Sequence, residues 1–431
     1  MAKKTKSTVE SGESTSIFGL INSFDKSTEM IEDSKYAKID EWISTGSYIL
    51  NACISGSLFG GVPNKRSITF SGMPGTGKSY LALSVARCAQ TMGYTPIYCD
   101  SEGAIDIETV KRIGCDTKNF MIRPVNTIEE FSNFAANLVK SIEATIEKGQ
   151  IPPKVALFLD SLGNLTSAKE KEDIIDGKNV RDMGKQQKIR AMFRVIGNDL
   201  ARLGVPFILT SHVYAAVGSY VPMNVVSGGG GVLFNSSVII ELFTSKLDDK
   251  QSEDKAKQAN AEVTKVGVLV TAKPTKQRFA KPIKVQFQIP FFKRPNPYVG
   301  LEKFVNWTDC GILRGKALTE KEYLKLNDKE QKMCAEFEGP NGTILYAYPK
   351  DTARTLVCRH LQGEIPINEL FTSKVFTDEV LHIMDEKIIR PTFELPSIDS
   401  MDDIEEMLGV DEDNEESIND DISNISDIIG E

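Results

Sequence analysis

The sequence predicts an α/β fold in which helices flank a mostly parallel β-sheet. Between residues 67 and 289, short β-branched or apolar runs alternate with longer patterns of helical spacing, which is typical of such sheets. A glycine-rich loop follows the first run, and an acidic residue follows each of the next two. The chain has 431 residues, of which 41% are hydrophobic, so it can hold one large core and a smaller unit.

The parallel part of the sheet is predicted in the following order. A strand at 67–71 leads into the glycine-rich loop, and a helix at 79–92 leaves it. The strand at 95–99 precedes a short helix, and the strand at 155–159 precedes a charged helical stretch that runs to residue 203. This βα alternation requires a helix between neighbouring parallel strands, as in doubly wound sheets.

The end of the sheet is predicted to be different. The runs at 238–243, 266–272 and 283–289 have no long helix between them, which favours antiparallel or meandering strands. Pro290, Pro295 and Pro297 then mark an exit from the core near residue 300.

The whole chain divides into four predicted segments. The first contains apolar residues at helical spacing over 16–31, which favours a helix that docks on a neighbouring subunit; a plain surface helix is the alternative. The third has a mixed pattern, including a helical one at 375–389. The segments are a partly disordered N-terminal arm (1–45), the core (46–305), a small C-terminal accessory lobe (306–395) and an acidic disordered tail (396–431).

The charge is unevenly distributed. The chain carries 51 basic and 60 acidic residues, a net charge of −9. Residues 397–431 hold fourteen acids and no Lys or Arg, which leaves the body with a net charge of +5. Such an asymmetry usually marks an acidic tail on a domain that handles polyanions, and the tail is expected to compete with the polyanion for basic surface and to dock partner proteins; a merely disordered tail is the alternative.

Several classes of protein are excluded by composition. The seven cysteines are scattered and the three histidines isolated, so neither a disulfide framework nor a zinc site is indicated. No apolar run reaches the roughly 18 residues of a membrane span, and no secretory signal follows Met1. A reduced, cytoplasmic location and no membrane partner are therefore expected.

The glycine-rich loop matches the pattern of Gly, four residues, Gly, Lys, then Ser or Thr. Its glycines let successive N–H groups point at phosphate oxygens, its lysine supplies charge, and the serine hydroxyl is a ligand for Mg²⁺. A chance glycine-rich turn is the alternative, but a strand precedes the loop and a helix follows it, as the mechanism requires. The predicted nucleotide-binding residues are Gly72, Met73, Pro74, Gly75, Thr76, Gly77, Lys78, Ser79 and Tyr80.

Acids at two strand ends complete the predicted site. Asp160 follows the apolar run 155–159 and is the candidate to orient Mg²⁺. Glu102 follows the strand at 95–99, at the same edge of the sheet, and is the candidate to orient and deprotonate the attacking water. A helix-capping role for Glu102 is the alternative that the residues alone leave open.

With the phosphate loop and the two acids identified, the chain resembles the RecA family of DNA strand-exchange ATPases, and in particular the UvsX-type recombinases of tailed bacteriophages. Seven blocks in the same order carry the resemblance over about residues 45–305. They are the phosphate loop and the blocks at 98–103, 159–165, 182–183, 211–214, 228–231 and 297–301.

The resemblance implies a role for several residues. Glu102 is similar to the catalytic glutamate, Asp160 to the Mg²⁺-associated acid, and His212, at the end of the strand 207–209, to the polar sensor of the γ-phosphate. Without the motif, a lone histidine there is more often a buried, hydrogen-bonded residue. The uncharged, glycine-rich stretch 213–234 corresponds to the second DNA-binding loop, and 165–187 to the first; a flexible surface loop is the alternative for the second.

The predicted DNA contacts are basic residues on the helix after the first loop and aromatic or glycine residues in the second. An ordinary solvated face is the alternative for any single basic residue. These contacts are Lys185, Lys188, Arg190, Arg194, Tyr214, Tyr220, Gly228 and Gly229.

Two positions depart from the family pattern. Thr109 stands where family members often have an aromatic residue stacked on adenine, so the base is expected to rely on Asp106 or other groups. Of the two basic residues that reach the ATP of the neighbouring subunit, Lys273 fits the first, and the second is Lys276 or Arg278 at a shifted spacing.

The resemblance thus implies an ATP- and Mg²⁺-dependent DNA recombinase that forms filaments on single-stranded DNA and exchanges strands with homologous duplex in recombination, repair and replication. Expected partners are both DNA forms, further copies of the chain, and single-strand-binding and mediator proteins in a bacterial host cytoplasm. A ring helicase or helicase loader of the same fold is one alternative, and a nucleotide-gated scaffold without strand exchange is another.

Overall fold

The computed structural model describes residues 17–22, 24–25, 28–32, 34, 37–178, 184–215, 224–226, 230–248, 265–290 and 294–395. In the arm, helix α1 spans only Ile17–Asn22, so the predicted helical pattern to residue 31 was wrong. The N–H groups of Phe24 and Asp25 both bond to the carbonyl of Ile21 and turn the chain out of the helix. Ile17 and Phe24 are each 74% exposed, and a short helix without packing is marginal in water.

The core contains most of the regular structure. Its elements in chain order are β1 (Trp42–Ile43), α2 (Tyr48–Ser55), β2 (Val62–Pro63), β3 (Ser67–Gly72), α3 (Lys78–Thr91), β4 (Thr95–Asp100), α4 (Ile107–Ile113), β5 (Met121–Pro124), α5 (Ile128–Glu147), β6 (Val155–Asp160), α6 (Ala168–Ile175), α7 (Lys185–Arg202), β7 (Phe207–Ala215), β8 (Asn224–Val226), α8 (Gly230–Asn235), β9 (Val238–Asp248), β10 (Lys265–Lys276) and β11 (Val285–Pro290).

The main sheet has the strand order β11-β10-β9-β3-β7-β6-β4-β5, and β8 pairs with the end of β7. Strands β9, β3, β7, β6, β4 and β5 are parallel, while β10 and β11 continue antiparallel from β9. The predicted mostly parallel sheet with an antiparallel end is therefore confirmed, with β9 itself on the parallel side.

Both faces of the sheet are buried, which explains why its strands are continuous apolar runs. Side chains alternate between two clusters along each strand. In β6, Ala156 and Phe158 join the cluster beneath α2 and α3, whereas Leu157 and Leu159 join the cluster beneath α5 and α7. The carboxyl ends of β3, β4, β6 and β7 consequently meet at one edge, where the predicted site residues lie.

Sequence patterns missed or misplaced some elements. Helix α5 was not predicted, although Thr127 and Glu130 form a capping box at its start. Helix α6, capped by the side chain of Ser167, occupies part of the predicted first DNA-binding loop. Strand β7 continues past His212 to Ala215 because β8 pairs with it, so His212 lies inside the strand and not at its end.

The C-terminal part begins with a small antiparallel sheet in the order β13-β14-β12-β15-β16. Only Phe337, Ala347 and Val357 form its buried cluster. Its elements are α9 (Trp307–Cys310), β12 (Ile312–Thr319), α10 (Glu320–Tyr323), α11 (Asp328–Gln331), β13 (Ala335–Glu338), β14 (Ile344–Pro349), β15 (Thr355–Cys358), β16 (Gly363–Pro366), α12 (Asp378–Met384) and α13 (Arg390–Phe393).

The last helices return to the core. Helix α12 passes through a π-helical turn into α13, and Leu381, Met384 and Phe393 belong to the same buried cluster as α2. The buried carboxylate of Asp385 accepts hydrogen bonds from the backbone N–H of Leu58 at 2.6 Å and from the hydroxyl of Ser57 at 2.9 Å. The predicted accessory lobe therefore contributes its final helices to the core.

Candidate nucleotide-binding and catalytic site

The phosphate loop connects β3 to α3 as predicted. Gly75 and Gly77 have φ values of +77° and +87°, which only glycine adopts without strain. A Cβ on Gly77 would also lie 2.4 Å from Ile289. Gly77 starts α3 without a side-chain cap, and the first turn contains no acid, so the helix N-terminus is open to an anion.

Lys78 is held inside this loop. Its side chain is buried, and its ammonium group donates to the carbonyls of Gly72 and Met73 at 3.0 Å each. Thr76 donates to the same Met73 carbonyl at 2.8 Å. Burial lowers the pKa of Lys78, and the charges of Glu102 and Asp160 oppose this. The loop thus carries a preformed positive charge where phosphate oxygens would bind.

Asp160 lies at the tip of β6 in a hydrogen-bonded setting. It is 2% exposed, and its carboxylate accepts hydrogen bonds from the hydroxyl of Tyr98 at 2.7 Å and from the hydroxyl of Thr210. Tyr98 and Thr210 come from the neighbouring strands β4 and β7, so three strands hold one carboxylate in place. Sequence reasoning missed both partners, although a polar residue within an apolar strand run was the available signal.

A second network shapes the loop after β4. One carboxylate oxygen of Asp100 accepts hydrogen bonds from the backbone N–H groups of Glu102 and Gly103, both at 2.9 Å. Ser101 and Ser161 exchange hydrogen bonds of 2.7 and 2.8 Å between side chain and backbone, which joins the tips of β4 and β6. These contacts determine where Glu102 projects.

Glu102 meets the predicted sensor histidine directly. Its Oε1 accepts a hydrogen bond from Ser161 Oγ at 2.7 Å and lies 2.8 Å from His212 Nε2. Partial burial raises the pKa of Glu102, but the hydrogen bonds from Ser161 and His212 and the charge of Lys78 lower it by more, so the net pKa is below the usual value. Glu102 does not cap a helix; it sits among charged and polar groups at the sheet edge.

These residues surround a pocket of about 340 Å³. The phosphate loop forms one side, Glu102 and His212 form another, and the strands at the antiparallel end close it. Tyr80 lines it, and its contact with a nucleotide stays a prediction. The remaining lining residues are Pro74, Gly75, Gly77, Lys78, Ser79, Val268, Ile289 and Pro290.

The donor set fits a magnesium ion bound together with a nucleotide. Ser79, at the start of α3, offers a hydroxyl, and the buried Asp160 offers a carboxylate. Among the described residues no group of three or more His, Cys, Asp or Glu could hold a metal ion by itself. Mg²⁺ commonly takes only one or two protein ligands and completes its octahedron with water and phosphate oxygens.

Asp106 and Thr109 lie at the start of α4, and Asp106 lines a pocket other than that of the phosphate loop. Asp106 is the N-cap of the helix, and its two carboxylate oxygens accept hydrogen bonds from the backbone N–H and the hydroxyl of Thr109, at 2.8 and 2.7 Å. These bonds lower the pKa of Asp106. Thr109 therefore orients Asp106. Contact of Asp106 with a base stays a prediction.

The two lysines predicted to act in trans have different surroundings. Lys273 is exposed on β10, opposite Glu241 of β9. Lys276 is partly buried, and its ammonium group donates to the carbonyls of Leu233 and Phe234 at 2.6 and 3.1 Å, which caps the C-terminus of α8. Burial lowers its pKa, as does the charge of Arg278. Lys276 is thus engaged within its own chain.

The predicted DNA contacts divide into paired and unpaired cations. Lys188 lies 2.9 Å from the carboxylate of Glu129, and Lys185 lies 3.9 Å from that of Glu170. Arg190 and Arg194, on the same helix α7, are exposed and make no ion pair with a described residue. Tyr214 is 57% exposed near the end of β7. Tyr220, Gly228 and Gly229 lie outside the described residues.

Both predicted DNA-binding loops adjoin one helix pair. Helix α7 begins at Lys185, in the last residues of the predicted first loop, and α8 begins at Gly230, within the predicted second loop. A Cβ on Gly231 of α8 would lie 2.8 Å from Ile189 and 3.4 Å from the backbone nitrogen of Arg190, so the two helices touch closely. The site residue His212 lies on β7, which leads into the second loop.

Together, the fold and the loop between β3 and α3 define a P-loop protein of the α/β class. The model of the RecA N-terminal domain family matches residues 15–289, more than half of the chain. The chain belongs to the RecA family, as its motifs predicted.

Individual relatives agree with this assignment. The chain is 26% identical over 229 residues to the recombination and repair protein of Enterobacteria phage T4, a match that covers 52% of this chain and 56% of that protein. It is 26% identical over 361 residues to protein RecA of Helicobacter hepaticus, covering 82% and 90%. It is 27% identical over 321 residues to protein RecA of Fusobacterium nucleatum, covering 72% and 75%. In the part of the chain that the structure describes, no helix is long and apolar enough to cross a membrane.

Proposed function

We propose that this chain is an ATP-dependent DNA recombinase that coats single-stranded DNA as a filament and exchanges strands with homologous duplex. The observation that carries the proposal is the 2.8 Å contact between Glu102 and His212. It joins the candidate water-activating group to the strand that leads into the predicted second DNA-binding loop. Membership of the RecA family supports the same conclusion.

In the proposed hydrolysis, each residue has one task. The N–H groups of the phosphate loop and the ammonium of Lys78 bind the phosphates, and Ser79 and Asp160 would hold Mg²⁺, which supplies charge neutralisation when bound. Glu102 orients the attacking water and accepts its proton. A carboxylate with a lowered pKa is a weak base, so its main contribution is to hold the water in line.

The proposed coupling to DNA works through β7. His212 lies three residues before the end of that strand, and β8, which leads to the glycine-rich segment, pairs with residues 213–215. DNA that orders this region would shift His212 and therefore one of the hydrogen bonds to Glu102. A ligand acts in this way only if it binds the two arrangements with different affinity.

The remaining partners are proposed from family membership. Lys273 would reach the nucleotide of a neighbouring subunit, so nucleotide binding and filament assembly would depend on each other. Single-strand-binding and mediator proteins are the expected protein partners, and the bacterial cytoplasm is the expected place of action. ATP with Mg²⁺ is the proposed cofactor pair, used in recombination, repair and recombination-dependent replication.

The deciding experiment is joint-molecule formation. The purified chain is mixed with a circular single strand and homologous linear duplex in the presence of ATP and Mg²⁺, and products are separated by gel electrophoresis. Joint molecules are expected with homologous duplex and not with heterologous duplex. The matched control is Lys78→Ala, which should bind nucleotide weakly and form none.

The alternatives predict other results. Unwinding of a forked duplex with no joint molecules would indicate the ring helicase. DNA binding gated by nucleotide, with no turnover and no pairing, would indicate the scaffold. Lys78, Ser79 and Glu102 line one pocket, and the buried Asp160 is present at the tip of β6, which favours a working ATPase over the scaffold.

A further inference from the structure

We propose that a second pocket, formed by α2, α3 and the segment after β11, binds a phosphate-type oxyanion through Arg87 and Arg294. The pocket has a volume of about 370 Å³. It is separate from the nucleotide site, because Arg87 lies nine residues beyond Lys78 on α3, or about 13 Å along the helix axis. Its lining residues are Ser44, Gly46, Tyr48, Asn51, Leu58, Phe59, Arg87, Cys88, Arg294, Pro295 and Pro297.

Each of the two guanidinium groups lies close to a glycine. A Cβ on Gly46 would lie 3.3 Å from Nη2 of Arg87, and one on Gly114 would lie 2.5 to 2.7 Å from Nη2, Cζ and Nε of Arg294. The guanidinium of Arg294 therefore rests flat against the Gly114 backbone, where any larger residue would displace it. Both glycines have positive φ values, +87° and +92°. The backbone is thus shaped to bring both arginines to this pocket.

The positive charge of the pocket is not neutralised by the described part of the chain. The lining contains no Asp or Glu, and neither arginine makes an ion pair with a described carboxylate. Among the described residues, the buried Nε of Arg87 has no hydrogen-bond partner, and the side chain's one polar contact is the Sγ of Cys88 at 3.5 Å. A buried donor without a partner is costly, and an anionic ligand would satisfy it.

The pKa of a neighbouring thiol, that of Cys115, also indicates the positive electrostatic field of the two arginines. Burial raises the pKa of Cys115 to about 11, and the charges of Arg87 and Arg294 both oppose that rise. Both guanidinium groups are therefore close enough to influence one side chain next to Gly114. Two like charges held near each other repel, and a bound dianion removes that repulsion.

The neutral groups of the pocket suit an oxyanion as well. The Oγ of Ser44 accepts hydrogen bonds from the backbone of Gly46 and the side chain of Asn51, and its hydroxyl also forms a hydrogen bond that lowers the pKa of Cys88, so an oxyanion would compete with that thiol for the hydroxyl proton. Planar guanidinium groups match the paired oxygens of phosphate. The proposed ligand class is therefore phosphate, either free as inorganic phosphate or pyrophosphate, or as the terminal phosphate of a nucleotide.

The test is isothermal titration calorimetry on the full chain carrying Lys78→Ala, which weakens phosphate binding at the first site. Inorganic phosphate, pyrophosphate and AMP are titrated separately at constant ionic strength set with chloride. One binding event is expected, and Arg87→Ala or Arg294→Ala should weaken it about tenfold, since each removes a charge-assisted hydrogen bond. Preference for phosphate or pyrophosphate identifies a free anion, and preference for AMP identifies a nucleotide.

Two further variants make the test decisive. Arg354→Ala removes an exposed arginine from the C-terminal part and should leave the binding unchanged. Arg87→Lys retains the charge and should restore part of the affinity, which a folding defect in Arg87→Ala would not explain. Equal affinity in the Arg87→Ala and parent proteins, or no binding of any of the three anions in the Lys78→Ala background, would overturn the proposal. The outcome is independent of whether the chain exchanges DNA strands.

Discussion

The nucleotide site and the predicted DNA-binding surface are neighbours but are built differently. At the candidate nucleotide site, Asp160, Asp100 and Glu102 each accept at least two hydrogen bonds from neighbouring strands, from the tip of β6 or from the loop that follows β4. On the DNA side, cations of α7 either pair with acids of neighbouring helices or stand exposed. The first region is a network within rigid strands, and the second is a set of long side chains on helices.

The difference indicates how much of the free energy of ligand binding each region loses to ordering its side chains or breaking existing contacts. Groups already held in place lose little entropy when a ligand arrives, so the nucleotide site is preorganised for chemistry. If they contact DNA as predicted, Lys185 and Lys188 would exchange a carboxylate for a phosphate, and such exposed pairs contribute little by themselves. DNA binding should therefore depend on many weak, salt-sensitive contacts, while hydrolysis should depend on a few strong ones.

The largest expected effect is that of Glu102→Gln. This change removes the proton acceptor but keeps the shape and one hydrogen-bond acceptor, so ATP and DNA binding should be retained while DNA-stimulated hydrolysis falls by about a hundredfold or more. Phosphate release measures the rate, and a fluorescent nucleotide measures binding. Glu108→Gln, on the exposed face of α4, is the matched control and should hydrolyse ATP normally. If Glu102→Gln hydrolysed ATP as fast as the parent protein, Glu102 would not be the proton acceptor.

Lys273 and Lys276 provide a comparison within one strand. If Lys273 contacts the nucleotide of the next subunit, Lys273→Ala should lower DNA-stimulated hydrolysis by about tenfold or more, because a charge near the transferred phosphoryl group is lost. Lys276→Ala removes two hydrogen bonds to the end of α8, and each such bond contributes about 1 kcal/mol to stability. Its main effect should thus be a lower melting temperature. A larger loss of turnover in a stably folded Lys276→Ala would reverse the two roles.

The sequence predicts the strands and the phosphate site well, for a physical reason. A strand that is buried on both faces of the sheet, such as β6, must be apolar along its whole length. An acidic residue at its end is therefore easy to recognise in the sequence. Glu102 and Lys78 were proposed in the same way, because they stand next to strand or loop signals, whereas the role of His212 was implied only by the family resemblance.

What the sequence could not predict depends on contacts between distant residues. Tyr98 and Thr210 lie 62 and 50 residues from Asp160, and no local pattern links them. Strand β7 extends beyond His212 only because β8 pairs with it. The pairing of Lys188 with Glu129 depends on the packing of α5 against α7, and α5 itself was missed.

The DNA side allows a comparison between an unpaired and a paired cation. Arg190→Ala should weaken binding of a homopolymeric single strand and reduce the slope of log affinity against log salt by about one. Lys188→Ala should have a smaller effect, because binding through Lys188 first costs its contact with Glu129. Fluorescence anisotropy over a series of salt concentrations measures both. Identical losses in the two variants would show that the ion pair is irrelevant to DNA binding.

The smallest expected effect is a shift in pH dependence caused by Ser161→Ala. Hydrolysis requires ionised Glu102, so the rate falls as the pH falls through the pKa of that carboxyl group. The hydrogen bond from Ser161 lowers this pKa, and its loss should raise it and move the acid limb of the rate profile to higher pH, with little change at neutral pH. Ser132→Ala, which removes a hydroxyl bonded to the Ile128 carbonyl in α5, is the matched control. Rates are compared only where circular dichroism shows an unchanged fold, and coincident acid limbs would mean that Ser161 only joins the strand tips.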